Sequence, residues 1–254
     1  MLRRLLMIAL FAVSAPALAD LSDIWWNPSE SGWGINMIQN EGVIFATMFV
    51  YGSNGAPTWY GGILNRDPSG RFVGSLFQST GPYFGAPTFD SGQVAVSTVG
   101  NMSFAPGSAS DTGVLTYNVG TVSVTKNIQR QTLTTIVLGG TYLGAFITQT
   151  SQCTNTGNNV NRAFSSPLLV TQVSNGTMQL DFQPSTGLTC SLRGTATQLG
   201  QLFRMPNTTY TCTNGLSTSA VVYGLKQTAQ GMEGQWQAST GGNCIEEGRF
   251  SAVF

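Results

Sequence analysis

Five aromatic side chains and one carboxylate carry the chemistry that this chain offers most openly. Trp25, Trp26, Trp33, Trp59 and Tyr60 lie in or beside two turn-rich segments, and Tyr51 ends the apolar run between them. Broad π faces in a wet, turn-lined site suit stacking against sugar rings or apolar groups, and the same rings equally suit a core. Glu30, flanked by Ser29 and Ser31, has two readings: a general acid, or an acceptor of backbone N–H bonds that fixes the turn. No second carboxylate stands at a fixed spacing from it. The run 43–51 is apolar on both faces, with Phe45, Phe49 and Tyr51 against Ile44, Met48 and Val50. Such a strand is either buried on both sides or faces a partner.

Other chemistry is excluded by what is missing. With no histidine in the chain, a Ser-His-Asp triad cannot form, and the commonest metal ligand and proton shuttle is absent. The four cysteines are too widely spaced for a zinc site, so neither metal nor cofactor is expected. Ser123-Val124-Thr125-Lys126 has the letters of an S-x-x-K motif but reads as strand, where residues three apart face opposite ways. Glu246 and Glu247 are adjacent on an expected strand, face apart, and with Arg249 read as solvating an edge. Asp67-Pro68-Ser69-Gly70 reads as a turn with too few oxygen ligands for calcium. Charged residues make up only 9%, with 11 basic and 11 acidic groups. No basic field is available for nucleic acid.

The elements that must position these residues are strands and tight turns. Residues 1–19 read as a signal peptide: Arg3 and Arg4, an apolar run from Leu5 to Val13, then Ala17-Leu18-Ala19 before a cleavage point. Without Arg3 and Arg4 nine basic groups face eleven acidic, a net charge of −2. Beyond the signal, Gly, Pro and Asn-Gly punctuation recurs about every ten residues and helical periodicity is absent. The first half offers strands at 33–39, 43–51, 58–64, 72–79, 93–98, 101–105, 113–118 and 121–128. The second offers 141–148, 168–173, 177–183, 188–197, 202–211, 220–227, 232–238 and 245–254. A boundary falls between Gln129 and Gly140. The expected fold is all-β: two consecutive small antiparallel β-barrel or sandwich domains after the signal peptide, at 20–131 and 139–254.

Four cysteines in an exported chain read as disulfides. Cys190 and Cys212 are symmetric about Gln201, at the tip of an expected hairpin, and would face each other on paired strands. If the first and last strands of the second half pair, Cys153 meets Cys244. Pairing of Cys153 with Cys190 is the open alternative.

The segments Trp25-Trp26-Asn27-Pro28-Ser29-Glu30-Ser31-Gly32-Trp33-Gly34, Phe45–Tyr51 and Gly55-Ala56-Pro57-Thr58-Trp59-Tyr60, closed by a strand 122–131, resemble a recurrent exported module of Gram-negative proteobacteria. That module reads WWNPxESGWG … FATxFxYxxxGxPxWY, and the likeness covers about Asp23 to Gln131. It implies export and a β-rich fold, and assigns neither activity nor catalytic residues. The expectation is therefore an exported, non-catalytic binding or interaction protein, secreted or periplasmic. It would engage a glycan, polymer or protein surface through exposed aromatics, with no nucleic acid or membrane partner. Two alternatives stand beside it. One is a secreted hydrolase using carboxylates alone, Glu30 with Asp67 or Asp90. The other is an outer-membrane β-barrel, suggested by the terminal Phe254 with Phe250 on the same strand face.

Overall fold

The computed structural model describes residues 20–173 and 176–254, so the signal-peptide reading and Asn175 of the Asn175-Gly176 turn lie outside the described residues. The chain forms two consecutive eight-stranded antiparallel barrels. The first runs β1 (Asp23–Trp26), β2 (Gly34–Asn40), β3 (Val43–Tyr51), β4 (Pro57–Arg66), β5 (Phe72–Thr80), β6 (Ala95–Pro106), β7 (Thr112–Val119) and β8 (Val122–Arg130). Each strand pairs with the next, and β1 closes on β8. The second runs β9 (Gly140–Ser151), β10 (Val160–Gln172), β11 (Thr177–Ser185), β12 (Leu188–Thr195), β13 (Thr197–Leu199), β14 (Leu202–Cys212), β15 (Ser217–Thr228), β16 (Gly231–Gly241) and β17 (Cys244–Val253). Here β17 pairs with β9 and β12 with β14, so eight strands close the ring, and β13 is a spur on the start of β14.

Period-two alternation drives both closures, because one face of every strand must leave water. In the first barrel Ile35 faces Met48 and Met37 faces Ala46 across β2 and β3, all inward and buried. Trp25 lies at the centre, edge-on to Phe104 at 4.9 Å between ring centroids. In the second, Met178, Leu180 and Phe182 of β11 turn inward, towards Phe146 and Trp236. The ring of Trp236 lies over Gly248, where any Cβ would collide with it. Both barrels thus keep their apolar core inside, the reverse of a transmembrane barrel with its lipid-facing apolar band. Phe250 belongs to that core, while Phe254 lies beyond the last strand and is exposed. No described helix is long and apolar enough to cross a membrane.

Both disulfides are nested, Cys153–Cys244 and Cys190–Cys212. Cys190 and Cys212 are direct cross-strand partners. Several boundaries differ from the sequence reading. The expected strands 93–98 and 101–105 are one strand, β6, which starts at Ala95 after a short 3-10 turn and continues because a bulge opposite Leu76 and Phe77 absorbs Val99 without breaking it. β10 starts eight residues earlier than its apolar part, carried by eleven paired positions against β9. Trp25 and Trp26 end β1, a strand absent from the sequence reading. β17 is an interior strand of a closed ring, so Glu246 and Glu247 face apart as expected but solvate no edge.

The two barrels meet base to base. Arg130, at the end of β8, is fully buried beside Asp23, with Nη1 to Oδ2 at 3.1 Å. Its guanidinium also donates to the carbonyls of Ser110, Ser22 and Asp20, and lies over the Trp25 ring at 4.9 Å. Burial pulls its pKa down, and the hydrogen bond and charge of Asp23 oppose this. The β13–β14 turn of the second barrel presses on this group. Gly200 has φ +61°, and any Cβ there would strike Asp23 and Arg130, so only glycine fits. A second pair joins Arg204 of β14 to buried Asp111 at 3.2 Å. Gln198 holds the connecting segment by accepting from Ile136 N–H and donating to the Thr134 carbonyl. Arg130→Met leaves Asp23 buried without its partner, and we expect a loss of about 3–5 kcal/mol in chemical denaturation. A change within about 0.5 kcal/mol would place this arginine on an ordinary surface.

Candidate functional site

The far end of the first barrel, away from this junction, gathers most of the aromatic motif. The loop between β1 and β2 crosses the opening. Asn27 shapes it, accepting from Ser29 N–H through its side chain and from Glu30 N–H through its carbonyl. Tyr51 ties it down from β3, its hydroxyl donating to the Gly32 carbonyl at 2.9 Å. Glu30 therefore does not fix the turn by accepting backbone N–H bonds. Its Oε1 accepts from Lys126 Nζ at 2.7 Å and its Oε2 from Trp33 Nε1 at 3.0 Å. Lys126 faces inward on β8 while Ser123, three residues away, is exposed, so the S-x-x-K letters assemble no dyad.

The charges in this mouth favour a held anion over a proton donor. The hydrogen bond from Lys126, then that from Trp33, lowers the Glu30 pKa. A general acid of a glycosidase needs the opposite shift. Tyr117 is raised, first by burial, and the charges of Glu30 and Tyr60 reinforce this against Lys126. The proposed carboxylate partners are occupied elsewhere. Asp67 lies in the β4–β5 turn at the opposite end, where hydrogen bonds from Ser69 first, with Arg71, bring its pKa to about 2 against desolvation. Asp90 caps a short 3-10 turn, accepting from Gly92 N–H and from Gln93. The mouth carries a salt-bridged latch.

The aromatic residues separate by face. Trp25 is a core residue with no exposed face, its Nε1 donating to the Leu21 carbonyl, and it offers no platform. Trp26 is half-buried, and its Nε1 has no acceptor among the described residues. Trp33 and Tyr60 pack partly on the core at the mouth. Trp59 alone of the tryptophans stands outward and exposed, opposite Phe49 of β3. Beside this pair Phe45 lies opposite Ile38 of β2 on one side and Ile63 of β4 on the other. These five side chains are between 46% and 58% exposed and form one outer face across three strands. The sequence signalled this face in the two-sided apolar run 43–51; Ile38 and Ile63 join it only through register.

No family model matches the chain, and no curated protein matches it either.

Two outcomes follow from this geometry. Trp25→Ala should cost about 3–5 kcal/mol, whereas Trp59→Ala should leave the thermal melt nearly unchanged; equal losses would contradict the division by face. The Trp33 indole N–H resonance should titrate with Glu30. Because the folded pKa is depressed, the latch is intact above the ordinary glutamate value and is lost as pH falls through a lower midpoint. A midpoint at or above the ordinary value would contradict the Lys126 contact.

Proposed function

We propose that this protein is an exported binding protein whose first barrel presents the outer face of β2, β3 and β4 to a partner. The observation that carries the reading is the two exposed rows Ile38–Phe45–Ile63 and Phe49–Trp59, one on either side of Thr47. Clustered exposed apolar side chains of this kind mark an interaction site. The outward positions of these strands contain no charged residue. Within the two rows only the Trp59 indole carries a hydrogen-bonding group, which suits an apolar protein surface better than a hydroxyl-rich glycan. Two disulfides in the second barrel fit an oxidising, extracellular or periplasmic compartment. The resemblance of the WWNPSESGWG motif to exported modules supports the same location.

A photo-crosslinking residue in place of Thr47, between the two rows, tests the proposal in cells that export the protein. The expected result is one discrete protein adduct, lost when Phe45→Ser and Phe49→Ser are combined without a change in melting. Absence of any adduct overturns the reading. Retention on an insoluble polysaccharide that depends on Trp59 would instead make the partner a glycan.

A further inference from the structure

The second barrel uses its interior differently at its two ends. The end against the first barrel is filled by the Met178, Met205, Leu225 and Met232 layer of the core. The other end is an open cup of about 790 Å³, within the size range of small-molecule sites. Phe164, Phe182 and Tyr210 line it, part of a run of near-parallel rings that Phe146 joins from the core behind. Phe146 stacks on Phe164 at 4.9 Å and on Phe182 at 5.1 Å, and Phe182 stacks on Tyr210 at 6.3 Å. Both disulfides lie at this end. Cys190–Cys212 lines the wall, and Cys153–Cys244 ties the β9–β10 loop to the start of β17. These covalent links brace the open end in its cup shape.

One carboxylate faces into this space. Glu246 accepts from Trp236 Nε1 at 3.2 Å, and the Tyr210 hydroxyl contacts it from the wall. Burial first, and then the Glu246 charge, push the Tyr210 ionisation well upward, so its proton stays available to the carboxylate. Among the described residues no lysine or arginine forms an ion pair with Glu246. Arg162 lines the cup from β10, where its side chain is exposed. The site therefore combines an aromatic wall, of which Phe164 is the most open ring, with a carboxylate that no basic side chain pairs among the described residues.

We propose that the open end of the second barrel binds a small, flat organic cation, its ring system against Phe164, Phe182 and Tyr210 and its ammonium or amidinium group at Glu246. This site is on the other barrel from the apolar face proposed above, and the two readings stand or fall separately. The test uses the intact oxidised protein and 9-aminoacridine, a flat monocation at neutral pH, followed by fluorescence polarisation. The anionic dye 1-anilinonaphthalene-8-sulfonate is the control. Saturable binding of one 9-aminoacridine per chain is expected, with little binding of the anion. Glu246→Gln keeps an acceptor for Trp236 and should weaken binding about tenfold or more, the worth of one lost charge pair. Arg162→Gln should tighten it by removing a like charge. Thr150→Trp, which fills the cup from β9, should abolish it while both disulfides remain formed. Absence of saturable binding overturns the proposal. So does binding that Glu246→Gln and Thr150→Trp leave unchanged, or a preference for the anion.

Discussion

The arrangement depends on one buried cation. Arg130 ends the strand that closes the first barrel, lies over the central Trp25 ring, and holds the N-terminal segment, the β6–β7 loop and the second barrel's hairpin tip around Asp23. A guanidinium taken out of water is tolerated only when its donors are satisfied and its charge is paired. That requirement brings these segments to one point. It also explains why the hairpin tip must be Gly200, and why the barrels meet at their bases rather than swinging on the connecting segment. Both mouths consequently face away from the junction, where solvent and partners can reach them.

With the bases fixed, the two barrels solve the same problem in different ways. Eight strands enclose a space that side chains can just fill. The first barrel fills it and latches its mouth with Glu30, Lys126 and Trp33, and carries exposed apolar side chains on the outer face of β2, β3 and β4. The second fills only half and braces the remainder with disulfides, leaving a concave aromatic wall and a carboxylate. A flat apolar face suits a macromolecular surface; a braced cup suits a small molecule. One chain therefore supports two binding readings with separable consequences.

Much of this was legible in the residues, and the reasons for the rest are physical. Alternation in Met178–Gln183 and the symmetry of Cys190 and Cys212 about Gln201 depend on the two-residue period of strands, which sequence displays directly. The short β1 was hidden because two adjacent tryptophans show no alternation, although one points to the core and the other away from it. The start of β10 was hidden because Asn161, Arg162 and Ala163 have the composition of a loop and are strand only through pairing with β9. Glu246 looked like a surface charge, since alternation cannot distinguish the polar mouth of a closed barrel from its outer wall. The face built by Phe45 and Phe49 was visible as a two-sided strand, but only the register added Ile38 and Ile63 to it.

Native-state hydrogen exchange at Gly200 and Gln201 tests the central claim, the base-to-base junction, most directly. As the tip of a free hairpin these amides would exchange within seconds. In the junction Gly200 N–H donates to Thr132 Oγ1 at 3.0 Å and Gln201 N–H reaches Asp23 Oδ2 at 3.4 Å. The account expects both amides to exchange as slowly as the core strands, and both to become fast in Arg130→Met. Fast exchange at both positions in the unaltered protein would contradict it.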